Sequence, residues 1–505
     1  MTENTTLNME DKKISFLTLE DLTDIEFKNA SNKDIVDNSN NNEDTNDLKT
    51  LYQTYLDKNN HKDLQKDDFE DFDCSDSYVD VIPITSGTKK LTCNSCPNFT
   101  YIPYILGLKK LICTNCLKLD YIPPIDGLEI LNCSNCPKLK EIPYIPSLKR
   151  LLCSNCPLLE RIPESPQIKN TDNKENELDN TKYNLIEIDC HECPLLEYIP
   201  QYKGLKILDC SRCRNLEEIS IMEGLENLNC SKCSKLDKIP KIHTLKSLNC
   251  SECPLIEEIP NLESLILLDC STCLSLNDIY KINVLQSLVC ISCPSLVKLP
   301  PFEELLSLDC SLCYHLKEIP HMERLKCLNC SECFSLLRIA EMKELHELIC
   351  NNCPLLREIP QLYELHTLIC NENTRLEYIP KLFNLKKLDC SKCSRFSEIP
   401  QIDGLSTIIC YNCEQIKQIP LINGLVTLLC SDCYSLEKIN VNPELINLSC
   451  ANCPKLKIPD ISINKDKQKQ QEIKNSMPMP IIVRNNKRNN GRNKNKTKNQ
   501  VKHGI

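Results

Sequence analysis

The sequence predicts a long parallel β-solenoid of about eighteen coils, and three features of its 505 residues predict it. A Cys-x-x-Cys pair returns every twenty residues, from Cys93 and Cys96 to Cys450 and Cys453, with one frame shift between Cys153 and Cys190. Leucines precede each pair at fixed offsets, and an Ile-Pro step follows most of them. Self-similarity at such a period marks a stacked repeat, in which each unit buries its apolar face against its neighbours.

Aligned on the cysteines, a unit reads L-x-x-L-x-C-x-x-C-x-x-L-x-x-I-P-x-I-x-G. The unit opening at Leu245 continues through Leu248, Cys250, Cys253, Ile256, Ile259, Pro260 and Leu262 to Leu265, which starts the next. The stretch Leu248-Asn249-Cys250 alternates apolar and polar, so it reads as a short half-buried strand with Leu248 and Cys250 facing inward. Proline removes a backbone donor and pushes the residue before it toward extended geometry. With thirteen of the thirty prolines at one repeat position, the return side of each coil is predicted to be extended segments and tight turns, with few or no α-helices. Glycines such as Gly404 and Gly424, just before a unit-opening leucine, predict a turn into the strand.

The cysteines admit two readings. Cys-x2-Cys-x16-Cys-x2-Cys satisfies a spacing rule for zinc sites. In the other reading the first cysteine is the third apolar residue of a strand, and the second is an inward ladder residue serving the backbone of the turn. Asn373 decides between them, because it stands where the partner of Cys370 belongs. A zinc cage loses a ligand there, whereas a polar ladder does not. Sulfurs spaced by the coil rise also suit a tetrahedral cage poorly. Cys93, Cys96, Cys250, Cys253, Cys270, Cys273 and Asn373 are therefore read as ladder and core residues, with no metal and no cofactor expected.

On these residues the chain resembles the leucine-rich repeat family, from near Thr88 to near Asp460. Ile142-Pro143, Ile259-Pro260 and Ile379-Pro380 look like the short twenty-residue repeats of bacterial effectors. Cysteine followed by leucine three residues later, as in Cys136 to Leu139 and Cys433 to Leu436, resembles the cysteine-containing repeats attached to F-boxes. The Asn-, Lys- and Ile-rich composition is similar to that of leucine-rich repeat proteins of giant DNA viruses of the mimivirus kind. The resemblance implies a leucine-rich repeat horseshoe that recognises a protein partner on its concave sheet, a host protein in the viral case.

The flanks differ from the repeat. Residues 1–84 are acidic and rich in Asn and Asp, with candidate helices near Phe16–Phe27 and Leu48–Leu56. The runs Asn38–Asn46 and Asp67–Asp76 read as disordered. No Leu-Pro opening marks an F-box there. The frame shift reads as a polar insertion at about 165–184, within a solenoid spanning 85–460. Residues 461–505 are basic, in a chain whose net charge is −10. That tail is a candidate for weak contact with nucleic acid or an anionic surface. No eighteen-residue apolar run predicts a membrane span. Met1–Glu10 carries no signal-peptide core, so the expected setting is intracellular, cytoplasmic and not secreted, with the thiols reduced. Coil-to-coil disulfides remain open to the chain in an oxidising setting, because stacked strands fall within disulfide Cα range.

No Ser/His/Asp or paired-carboxylate constellation stands out, so the chain is read as non-enzymatic. Cys327 lies outside the pairs, and His346 and His366 occupy equivalent positions in adjacent coils, flanked by Lys326 and Lys386. Most outward strand positions are polar, such as Asp209, Asn229, Asn249 and Asp269. The apolar exceptions group as Ile266, Leu267, Val289, Ile291, Leu306 and Leu312, and as Ile349, Ile369, Ile409 and Leu429. Apolar residues grouped on an exposed sheet mark an interaction site. The function expected is protein–protein recognition through this face, with an adaptor for ubiquitin ligation and nucleic-acid association through the tail as alternatives.

Overall fold

The computed structural model describes residues 70–78, 87–164, 185–440 and 443–457. The candidate helices, most of both terminal arms and the insertion lie outside them. The described residues build one parallel sheet of nineteen three-residue strands, from Asp71–Asp73 to Asn447–Ser449. Each strand pairs in register with the same positions of the next coil, as Ser247, Leu248 and Asn249 do with Leu267, Leu268 and Asp269. The architecture is a leucine-rich repeat solenoid.

Why twenty residues close a coil follows from where the apolar ones point. In the unit from Leu265, the side chains of Leu265, Leu268, Cys270, Cys273, Leu276, Ile279 and Ile282 are all buried. Burying an aliphatic side chain is worth roughly 1.5–3 kcal/mol, and every coil repeats the set, so the core is one column running the length of the stack. On the return side the Ile positions form two-residue parallel pairings, such as Glu258–Ile259 with Asp278–Ile279. There is no helix among the described residues, because proline and a short return path leave no room for one.

The two cysteines do different work. The first, Cys250 for instance, is buried and its amide donates to Asp269 O of the next coil at 2.8 Å. The second points back into the preceding coil. The Cys253 thiol donates to Cys230 O at 3.1 Å, Cys273 to Cys250 O at 3.2 Å and Cys116 to Cys93 O at 3.0 Å. Asn373 fills the same place with more bonds. Its Nδ2 donates to Cys350 O at 2.8 Å and Cys370 O at 3.0 Å, and its Oδ1 accepts from the Cys353 amide at 2.6 Å. Burial raises the thiol pKa of Cys133 and Cys153 and pushes Cys156 up to about 11.

Between the two cysteines every coil turns through one residue of positive φ, from Asp76 to Asn452. Asn, Asp and Ser take several of these places, and Asn is the side chain that tolerates the left-handed region best after glycine. Thr272, at φ 59°, and Leu312, at φ 62°, are the costly occupants. The turn is enforced by the neighbour: the Thr272 amide donates to Ile291 O at 2.7 Å.

The sheet starts earlier than the sequence boundary at residue 85. Asp71–Asp73 pairs with Lys90–Thr92, and Phe72 and Cys74 are buried. The expectation of disorder over Asp67–Asp76 is corrected from Glu70 onward. This coil lacks the second cysteine, and the Ser77 hydroxyl donates instead to Cys74 O at 2.7 Å. Phe72-x-Cys74-x-x-Ser77 was the available signal, nineteen residues before Cys93.

The insertion leaves the register intact. Arg150 pairs across it with Glu187, Nε to Oε2 at 2.6 Å and Nη2 to Oε1 at 3.1 Å, and the Glu187 side chain is only 5% exposed. At the other side of the coil the buried Tyr202 hydroxyl donates to Pro163 O at 2.8 Å.

Two stability outcomes follow. Asn373→Leu leaves the Cys353 amide and the Cys350 carbonyl unpaired inside the core, Cys370 O keeping the Cys393 thiol, and it lowers stability by about 2–4 kcal/mol in urea unfolding, while Asn373→Cys recovers most of the loss. Thr272→Asn relieves the β-branched side chain at positive φ and raises the midpoint of thermal unfolding, by about 0.5–1 kcal/mol.

Candidate functional site: the outer face of the main sheet

Four columns of side chains run along this face, one residue per coil. The first precedes the strand (Lys246, Ile266, Gln286, Leu306). The second and third are the outward strand positions (Ser247, Leu267, Ser287, Ser307 and Asn249, Asp269, Val289, Asp309). The fourth follows the first cysteine (Ser251, Ser271, Ile291, Ser311).

The third column explains why polar residues dominate. Its Asp and Asn side chains cap the turn that leaves the strand. Asn249 Oδ1 accepts from the Ser251 amide at 3.0 Å, Asp269 from Ser271 at 3.0 Å and Asp309 from Ser311 at 3.0 Å. This is the local side-chain-to-backbone bond that Asp and Asn make readily.

Where the third column is apolar, that bond is lost, and in five of seven coils a side chain of the preceding coil replaces it, the Leu152 and Leu429 coils being the exceptions. In the Val289 coil the Ile291 amide donates to Ser271 Oγ at 3.3 Å. In the Ile349 and Ile369 coils the Asn351 and Asn371 amides donate to Ser331 Oγ at 3.2 Å and Asn351 Oδ1 at 2.9 Å. In the Ile409 coil the Tyr411 amide uses Ser391 Oγ at 3.2 Å. In these coils a half-buried apolar side chain stands in place of a structural cap, and a fourth-column side chain covers the loss.

All ten candidate partner-binding residues are half-buried. Register places Ile349 directly beside Ile369, and Ile409 beside Leu429, with Asp389 between the two pairs. Ile266 and Leu267 adjoin along the chain, but Val289 stands between Asp269 and Asp309, and Gln286 separates Ile266 from Leu306. The first group is therefore dotted rather than continuous. Leu312 is no strand residue at all, since it occupies the positive-φ turn. Val426 and Ile446, half-buried in the first column of the coils of Leu429 and the final strand, extend the second group. The column rule that found Ile266 would have found them.

Polar candidates also line this face. Asp189, His191 and Asp209 converge within 4.8 Å of one another and are the metal-capable set among the described residues. Their atoms are engaged already. Asp189 Oδ1 meets His191 Nδ1 at 2.6 Å, and Asp209 accepts from the Ser211 amide at 2.9 Å and Asn229 Nδ2 at 2.9 Å. The hydrogen bond to Asp189 raises the His191 pKa. Burial raises that of Asp209, and the Asp189 charge adds to it. Cys327 is half-buried, its thiol held above the usual range by burial and then by the Glu347 charge, which suits packing rather than reactivity.

No family model matches the chain, and no curated protein matches it. Among solved structures, a leucine-rich repeat protein from Bacteroides ovatus aligns at 16% identity over 64% of this chain and 78% of its own, with a TM-score of 0.32. YopM from Yersinia enterocolitica aligns at 18% identity over 82% of this chain and 98% of its own, with a TM-score of 0.45. A plant peptide hormone receptor, RGFR1 in complex with RGF2, aligns at 16% identity over 76% and 80%, with a TM-score of 0.20. No helix among the described residues is long and apolar enough to cross a membrane.

Asp209 lies opposite Asp189 in the parallel register. Its raised pKa means that the fold disfavours the ionised carboxylate. That cost is absent below the unfolded value near 3.9 and is complete above the raised value. Asp209→Asn accordingly stabilises the protein at neutral pH, by on the order of 1 kcal/mol, and gives almost no gain near pH ~3.5. Thermal melts of both proteins across pH check this.

Proposed function

We propose that this protein is a non-enzymatic recognition scaffold that docks a protein partner on the outer face of the main sheet. The observation that carries the reading is the exchange in the third column. At Val289, Ile349, Ile369 and Ile409 an apolar side chain stands where a turn-capping Asp or Asn stands elsewhere, and a side chain of the coil before takes over the turn amide. Stability alone favours the cap, so the apolar side chains serve contact. The face also suits the role physically: stacked three-residue strands hold each side chain at a fixed spacing, which limits the ordering cost of binding. The paired apolar residues Ile349–Ile369 and Ile409–Leu429 are the centre of the proposed contact, with Ile266, Leu267, Val289, Ile291 and Leu306 as a second, dotted region.

The adaptor and nucleic-acid readings rest on residues 1–84 and 461–505. The described part of the first segment, Glu70–Tyr78, belongs to the solenoid, and no observation on the described residues favours either reading.

Restoring the cap separates binding from folding. Val289→Asn, Ile349→Asn and Ile409→Asn keep the melting midpoint equal to or above that of the parent, since each regains a local turn bond worth about 0.5–1.5 kcal/mol. The same variants lose partners recovered by affinity capture and mass spectrometry, while a matched substitution on the return side, Leu255→Asn, recovers the full set. Unchanged recovery by all three variants would falsify the docking reading.

A further inference from the structure

The first column of the outer face carries its charges in two patterns. Twice it alternates in sign. Lys109 and Lys149 flank Glu129 at 3.5 and 2.7 Å, and Lys206 and Lys246 flank Glu226 at 2.6 Å each. In both runs a glutamate neutralises its lysines within the column. The third run is Lys326, His346, His366 and Lys386, where imidazoles stand in place of the acid. The amides of His346, His366 and Lys386 donate to Lys326 O, His346 O and His366 O, each at 2.8 Å, so the four are stacked coil on coil. The His346 and His366 ring centroids lie 5.3 Å apart, with the rings tilted by 59°. Lys387 adds a further cation in the second column. Among the described residues no ion pair within 4.0 Å involves any of these five.

The acids that face the run are Glu347 in the second column and Glu344 and Glu364, each just before a coil-opening leucine. Asp389 of the third column is a fourth acid, so with neutral imidazoles three lysines meet four carboxylates and the surface is slightly acidic. Histidine gains its charge in the range from about pH 8 to pH 5, and two added cations leave the same surface positive. The change occurs on a fixed scaffold, because the columns are set by backbone pairing.

Beside the run, three residues further along the same two coils, lie Ile349 and Ile369 in direct register. A ligand matching this surface presents acidic groups over three coil spacings, about 14 Å, and an apolar side chain to one side. An extended peptide covers that distance in about five residues. Polynucleotide fits less well, because Ile349 and Ile369 offer an apolar pair that side chains of a peptide match and a regular phosphate backbone does not.

Resting on the reading of this face as a docking surface, we propose that Lys326, His346, His366 and Lys386, with Ile349 and Ile369, bind an extended acidic peptide segment of the partner, more tightly as pH falls. The test uses the full chain and fluorescence anisotropy. The probe is a labelled peptide of alternating Glu and Leu, measured at about pH 7.5 and about pH 5.5 at constant ionic strength. The expected result is binding about tenfold tighter at the lower pH. His346→Gln with His366→Gln brings that ratio to about one. Lys326→Glu with Lys386→Glu weakens binding about tenfold or more at both pH values, with thermal melts showing that each variant is folded. A peptide with Gln in place of Glu does not bind.

Three results would overturn the proposal: no peptide binding, a pH ratio that survives the double histidine change, or equal binding of a labelled single-stranded oligonucleotide. Failure here with partner recovery still lost in Ile349→Asn would sink the acidic-peptide assignment and leave the docking reading in place. Peptide binding alongside unchanged partner recovery would support the cationic run and remove the broader reading.

Discussion

Each coil of this solenoid is held to the one before it by an inward polar contact at the second cysteine position. A twenty-residue coil makes two sharp turns around a thin core, and its strand ends with carbonyl groups aimed inward, where no water reaches. An unmet buried carbonyl costs about 1–3 kcal/mol, and the cost recurs in every coil. The thiol of the next coil meets it, as Cys253 does for Cys230 O. The side chain must be small, apolar enough to pack among leucines, and able to donate one hydrogen bond. Cysteine satisfies all three. Asn373 shows that donation rather than sulfur is the requirement.

That inward constraint shapes the outer face. Turning the chain sharply through a left-handed residue leaves the preceding amide in need of an acceptor, and the third-column Asp or Asn supplies it within the coil. Beside most apolar residues of that column, though not beside Leu152 or Leu429, a fourth-column side chain of the preceding coil supplies the acceptor. Ser271, Ser331, Asn351 and Ser391 do so. The recognition surface is thus coupled to the scaffold through single hydrogen bonds, and the composition of adjacent coils is not independent.

The period was legible because every coil spends the same positions on the same burial, so Leu248, Cys250 and Ile259 announce the fold by spacing alone. Terminal coils obey the pattern least, since only one side of them is packed. The Asp71–Asp73 strand was hidden by Ser77 in place of cysteine and by Phe72 in place of leucine. On the sheet face the alternation of strand residues placed Ile349 and Ile369 correctly side by side. It could not place Leu312, because strand periodicity stops at the first cysteine and the backbone there turns through positive φ. Nor does spacing reveal that Asp269 and Asp309 enclose Val289, which depends on the register between coils.

The junction at residues 164 and 185 carries one more meaning. Arg150 with Glu187 on the sheet side and Tyr202 with Pro163 on the return side bind the coils across it, and the strands there pair as any others do. The peptide that bridges the gap contributes none of these contacts. The two blocks of coils thus meet at this seam through the same register and complementarity that stacks any coil on the next. The seam is where such a lineage could gain or exchange whole blocks of coils without redesigning a single one.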